Sequence, residues 1–239
     1  MLLKSGITAV LAAAVSAAHH PVHHHEGHDA QQVLTSEGKF QPLHVSPQIR
    51  EDWMRVAVQA LSELVSPCPY AAFGTAIVNH TASAEGELVC IGANSAGQTG
   101  NPTHHGEIAA INNCTAVLAD PRGLYRLSPQ DISQAWKDLS LYTTAEPCPM
   151  CAAAITWAGF REYIYATSID TLIDHGWNQI DIPSREVVER SVGFRSGTTI
   201  LGGVLSDETD TLFAWQTQQD APCPKGCHRH GAGGGCVPQ

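Results

Sequence analysis

Apolar residues at Ile49, Trp53, Val56, Ala57, Ala60, Leu61 and Leu64 recur at three- and four-residue spacing behind Ser46-Pro47. That period predicts a helix with one apolar stripe, a capping serine and a proline at its first position, where a missing N–H costs nothing. Pro67 and Pro69 end it. Residues 72–78 and 87–93 read as strands separated by a polar loop, and therefore as a hairpin. A polar, glycine-bearing loop over 92–102 leads to a helix after His105, with Ile108, Ile111 and Leu118 on its core face. Residues 121–138 form an irregular connection with a short helix over 128–136. Beyond it, 139–143 reads as a central strand, 152–158 as the body of an apolar helix and 162–167 as the next strand. A helix begins near Ser184, a strand covers 198–205, and Ser206 is expected to cap a last helix through Gln218. Strands alternating with helices define an α/β sandwich with a mainly parallel or mixed sheet.

Composition adds limits on partners. The chain has 239 residues, 43% of them hydrophobic, enough for one sizeable core with appendages. Its formal charge of −10 argues against a nucleic-acid partner, because phosphate contacts need a basic face. Residues 1–18 have the pattern of a secretory signal: Lys4, an apolar run over 6–15, and small residues at Val15-Ser16-Ala17 or Ser16-Ala17-Ala18. That run is too short to span a bilayer, so no membrane association is expected. Residues 19–29 hold six of the thirteen histidines and lack apolar periodicity; 19–45 read as a His-rich flexible segment, a solvated tail or a weak metal binder. Residues 46–219 form the expected catalytic domain, and 220–239 a Cys- and Gly-rich tail.

The cysteines fit an extracellular chain. Setting Cys148 and Cys151 aside leaves Cys68, Cys90, Cys114, Cys223, Cys227 and Cys236, an even number suited to disulfides in an oxidising compartment. The connectivity is open, and Cys90 and Cys114 also suit small buried thiols. In the tail, Cys223, Cys227, His228, His230 and Cys236 read as a disulfide-clipped segment, with a second metal site as the alternative. Asn79-His80-Thr81 and Asn113-Cys114-Thr115 are glycosylation sequons. The first lies in a loop. The second lies on a helix, facing away from the core, on a side also available to a partner subunit.

The chemistry is concentrated in Glu146-Pro147-Cys148-Pro149-Met150-Cys151 and His105-Gly106-Glu107. Two cysteines three apart at the start of a helix face one point, and the positive helix end favours thiolate. His105 is the natural third ligand of a catalytic zinc, which leaves Glu107 free to transfer protons. A C-x-x-C alone also suits a redox protein, and a zinc site alone suits a binding protein without turnover. An intact Glu107 disfavours the second of these.

H-x-E followed by P-C-x-x-C is the zinc deaminase signature. Over roughly 46–219 the chain resembles the cytidine deaminase superfamily, in the branch with guanine, cytosine and tRNA adenosine deaminases. The motifs that carry this are Asn101 to Glu107 and Leu141 to Cys151, with weaker echoes at Phe73-Gly74-Thr75-Ala76-Ile77-Val78 and Gly92-Ala93-Asn94. The resemblance implies a three-layer α/β/α sandwich with a five-stranded mixed sheet, one zinc per chain and a homodimer. It implies that Asn94 hydrogen-bonds the substrate, that backbone around Gly106 and Cys148 holds the ring, and that the Glu146 carbonyl meets the leaving amine. The expected substrate is a small heterocyclic amine: a free base or nucleoside, guanine-like or cytosine-like, or an amine outside nucleotide metabolism. Asp170 and Asp174 both lie near the place where the guanine branch carries a carboxylate.

Overall fold

In the computed structural model, residues 45–194, 197–231 and 234–239 are described. The leader and nearly all of the histidine-rich segment lie outside them. The helix α1 spans Pro47–Leu64, and Ser46 caps it by accepting the Ile49 N–H at 3.3 Å. Strands β1 (Gly74–Asn79) and β2 (Glu87–Ala93) form the expected antiparallel hairpin. A one-turn helix, α2 (Ala96–Thr99), interrupts the loop before α3 (Gly106–Ala119). Then come α4 (Pro129–Ala135), a 3₁₀ turn, β3 (Leu139–Ala145), α5 (Pro149–Ala158) and β4 (Glu162–Thr167). The remaining elements are α6 (Ile169–Asp174), α7 (Ser184–Glu189), β5 (Thr199–Leu201), α8 (Ser206–Thr217) and a small tail hairpin, β6 (Cys227–Arg229) with β7 (Cys236–Pro238).

The main sheet runs β2-β1-β3-β4-β5, antiparallel across its first three strands and parallel from β3 to β5. Alternate side chains of its strands enter opposite layers. Ile77, Leu141 and Tyr163 pack with Ala110 and Cys114 of α3 and Ile155 of α5. On the other face, Val78, Tyr142 and Ile164 pack with Met54 and Ala57 of α1. Leu172 and Phe213, from α6 and α8, join Leu61 and Ala145 in a third cluster. This is the three-layer α/β/α sandwich with a five-stranded mixed sheet. Among the described residues, no helix is long and apolar enough to cross a membrane.

Three local expectations are corrected. The buried stripe of α1 includes Met54, fully buried, whereas Leu64 is 46% exposed, because the helix turns its last residue off the sheet. The strand expected over 198–205 is only Thr199–Leu201; Gly202 and Gly203, the latter at φ +76°, follow it. Ser206 is the first residue of α8; the cap position belongs to Leu205, whose left-handed φ of 65° turns the chain into the helix without a side-chain cap.

All six remaining cysteines pair, as Cys68–Cys227, Cys90–Cys114 and Cys223–Cys236. Cys90 and Cys114 are therefore bridged rather than free, joining β2 to α3. In the tail, the metal-site alternative falls because all three of its cysteines are in disulfides. Trp215 packs with Cys68, Cys227 and Cys236 as a miniature core beneath it.

Candidate active site

Both helices that carry the chemistry begin at the site. His105 occupies the cap position of α3, and Cys148 that of α5, with Pro149 following it. The close seat of α3 depends on glycine: a Cβ on Gly92 would strike the backbone of Ala110, and one on Gly106 would strike the Phe73 carbonyl. Gly106 is buried and does not line the cavity described below; its visible role is this backbone contact.

His105 Nδ1 lies 3.6 Å from Cys148 Sγ and 3.7 Å from Cys151 Sγ. Tetrahedral zinc with Zn–S of about 2.3 Å and Zn–N of about 2.0–2.1 Å separates such atoms by about 3.6 Å. The three side chains fit zinc in both chemistry and spacing, and they are the only such group of histidine, cysteine or acidic ligands among the described residues. Phe73 stacks on the His105 ring, centroids 6.4 Å apart and planes 13° from parallel, which fixes the face it presents.

The protein groups themselves favour a thiolate. The Cys151 thiol, donating to Cys148, pulls Cys148 down to about 4 against the effect of burial, with His105 assisting. Cys151 is pushed up by that same hydrogen bond and by burial. His105 is raised, chiefly by its hydrogen bond with Cys148. Glu107 is raised to about 7, by burial first and by the Cys148 charge second. A divalent cation held by the triad would work in the opposite direction on Glu107 and would take both sulfurs as thiolates.

These groups open onto a cavity of about 450 Å³ lined by Phe73, Asn94, His105, Glu107, Glu146, Cys148 and the run Trp177 to Ile180. Asn94 Oδ1 accepts the Ala96 N–H at 3.0 Å, which leaves its amide N–H groups for a ligand. His104, beside the ligand histidine, contacts Ser95 Oγ through Nδ1 at 2.6 Å, and its carbonyl accepts the Ser95 N–H. It closes the loop between Asn94 and His105. The Glu146 carboxylate points away from the cavity and accepts hydrogen bonds from Ile169 and Ser184. Asp170 and Asp174 are exposed on α6, and neither lines the cavity. Asn79 and Asn113 lie elsewhere, at the end of β1 and on α3.

Phe73 and Trp177 to Ile180 line the site without belonging to either of its ligand-bearing motifs. Phe73 stands between Ala71, whose left-handed φ of 57° is anchored by Gln216 accepting its N–H at 2.9 Å, and the close contact with Gly106. Trp177 meets Phe73 edge to face at 5.7 Å, and its indole N–H donates to the Phe213 carbonyl at 3.3 Å.

A histidine and two cysteines converging on a buried glutamate from two helix starts of an α/β sandwich define a zinc-dependent hydrolytic site. Residues 47–167 match the cytidine and deoxycytidylate deaminase zinc-binding region, and the chain belongs to this family. The guanine deaminase of Bacillus subtilis is 31% identical over 172 residues, covering 70% of this chain and 93% of its own. A probable cytosine deaminase of Schizosaccharomyces pombe is also 31% identical, over 50% of this chain and 59% of its own. A solved structure of guanine deaminase from Nitrosomonas europaea superposes with a TM-score of 0.52 at 19% identity, over 81% of this chain and 99% of its own, a likeness of fold. These homologues are deaminases, hydrolases that act on C–N bonds.

Proposed function

We propose that the chain hydrolytically deaminates a free, uncharged heterocyclic base or nucleoside, guanine-like or cytosine-like, releasing ammonia. The observation that carries this is Glu107, fully buried beside the His105, Cys148 and Cys151 triad, in a cavity whose described lining has no lysine or arginine. Nothing there neutralises a phosphate, which disfavours nucleotides and nucleic acid. Zinc held by the triad supplies Lewis-acid activation of water. Glu107 is placed to take a proton from an attacking water, hand it to a ring nitrogen and assist the departing amine. Asn94 donates to an acceptor on the ring, and Phe73 with Trp177 forms an apolar wall suited to a flat heterocycle. Asn178 and Gln179 offer carboxamides, not a carboxylate, to the far edge.

The test is ammonia release from guanine, cytosine, adenine, their nucleosides and monophosphates, and a short single-stranded oligonucleotide. Turnover of a free base or nucleoside, lost in Glu107→Gln with zinc retained, is expected. Turnover of the oligonucleotide alone would overturn the substrate class. We further infer that the protein works outside the cell. Three disulfides tie its non-ligand cysteines, a pattern rare in reducing compartments. Expression in a eukaryotic secretion host checks this: the intact mass should correspond to a chain starting at Ala18 or His19, and retention of Met1 would refute it.

A further inference from the structure

A larger cavity, about 740 Å³, lies at the other end of the parallel strands. Ser140 and Glu162 pair at the start of β3 and β4, whereas Ala145 and Thr167 pair at their ends, next to the zinc ligands. The larger cavity is therefore separate from the deaminase site. Its charged lining is Arg50 and Glu51 of α1 with Arg161 and Glu162.

Two guanidinium groups there flank one carboxylate. Glu162 Oε2 meets Arg50 Nη2 at 2.9 Å. Glu162 Oε1 accepts the Ser140 hydroxyl at 2.7 Å and Arg161 Nη2 at 3.1 Å, and Arg161 Nη2 also reaches Ser140 Oγ at 2.9 Å. Both Glu162 oxygens are thus occupied. Each guanidinium carries five N–H donors in a planar fork, and only the Nη2 atoms make these contacts. Arg50 Nη1 is buried with no hydrogen-bond partner among the described residues. The Tyr142 hydroxyl donates to His80 Nε2 at 3.0 Å, because His80 Nδ1–H is held by the Ala84 carbonyl, and its oxygen is left to accept from the Arg50 guanidinium beside it. Glu51 faces Arg55, 3.6 Å away on its own helix. Within the Arg50–Glu162–Arg161 cluster the two guanidinium groups outnumber the one carboxylate, while Glu51, also on the lining, is turned to Arg55, and Arg161 keeps N–H donors that make none of these contacts. Leu201 and Val204 give the same cavity an apolar wall.

We propose that this cavity is a second ligand site, for a small oxyanion, a carboxylate or a phosphate ester, that carries an apolar group. The oxyanion accepts from the free edge of the Arg161 guanidinium, with the Arg50 charge behind it, and the apolar group lies against Leu201 and Val204. No bond is made or broken.

The test is calorimetric titration of the full-length, zinc-loaded protein with sodium hexanoate and, separately, phenyl phosphate, at matched ionic strength. Saturable binding of one probe is expected, and which one binds distinguishes carboxylate from phosphate ester. Arg161→Gln should weaken it at least tenfold, while Glu107→Gln leaves it unchanged. Thr199→Glu, an exposed substitution on the cavity wall that spares the arginine cluster, should weaken it as well and serves if Arg161→Gln does not fold. No saturable heat with either probe into the millimolar range, or equal binding by folded Arg161→Gln and Thr199→Glu, overturns the proposal.

Discussion

Glu146 Oε1 accepts two hydrogen bonds from Ser184, one from its backbone N–H and one from its hydroxyl, both at 2.8 Å. Its Oε2 accepts the Ile169 N–H at 3.0 Å. A buried carboxylate two positions before Cys148 thus clamps both ends of the segment that brings Trp177 to Ile180 onto the cavity. Glu146 is a positioning residue through its side chain, whatever its carbonyl does for the leaving amine. Glu146→Gln puts an NH₂ donor against an N–H and removes charge from the bonds; hydrogen bonds to charged groups contribute about 1.5–3 kcal/mol each. KM should rise about tenfold or more, kcat should fall less, and zinc content should stay the same. Steady-state kinetics with metal analysis checks this, and an unchanged KM would remove the clamp from the mechanism. Ser184→Ala should act in the same direction more weakly.

The metal centre yields a sharper prediction. Wild type should hold about one zinc per chain, and His105→Ala and Cys148→Ala should each lose it, since a catalytic site has only three protein ligands. Glu107→Gln should keep it while activity drops ~10²- to 10⁴-fold or more. Elemental analysis beside activity separates the two kinds of variant.

The two sequons differ in structure. At Asn79, Oδ1 accepts both the N–H and the hydroxyl of Thr81, at 2.9 and 2.7 Å, and its amide nitrogen takes no part in either bond. At Asn113, Nδ2 donates to the Ile91 carbonyl of β2 at 2.9 Å, and the central Cys114 is buried in a disulfide. Protein from a eukaryotic secretion host should carry a glycan at Asn79 and none at Asn113. Peptide mass mapping decides, and a glycan on Asn113 alone would contradict the assignment.

The Cys90–Cys114 bridge ties β2 to the helix that bears Glu107, across 24 residues of sequence. Chain-entropy arguments give such a loop about 3 kcal/mol. The double alanine variant should therefore melt about 6–12 °C lower. Scanning calorimetry measures the shift.

Acid stability should depend on Glu162. Burial pushes its pKa up, but the Ser140 hydroxyl and the Arg50 guanidinium outweigh burial, and the net is below the ordinary 4.5. As pH falls, the unfolded chain takes up this proton before the folded one does. The stabilisation is therefore complete above about pH 4.5 and is lost as pH drops through the lower folded value. Urea unfolding between pH 6 and pH 3 should show a steeper loss for wild type than for Glu162→Gln. Parallel profiles would show that Glu162 is not responsible.

What could be read from the sequence was what lies close together along it. Cys148 and Cys151 are one helical turn apart and His105 and Glu107 two residues apart, so local geometry alone aims each pair. The apolar periods located α1 and β1 through β4 because each buries a face against the sheet. The wall from Trp177 to Ile180 was not legible, since Glu146, far back in the chain, holds it in place. Disulfide connectivity was closed to inspection for the same reason: Cys68 finds Cys227 only after the sheet is assembled. Met54 eluded the stripe of α1 because the sheet surface, not the helix period alone, selects which residues are covered.

The Cys68–Cys227 bridge, at a sequence separation of 159, turns most of the protein into a covalent ring. His105, Glu107, Cys148 and Cys151 all lie inside that ring. A protease that cuts any one peptide bond between the two cysteines opens the ring without releasing a fragment. The nicked molecule keeps its mass on a non-reducing gel, apart from one added water, and keeps the zinc ligands from both halves tethered to each other. A single cut in a surface loop thus becomes a break in a circle and not the loss of half a catalyst.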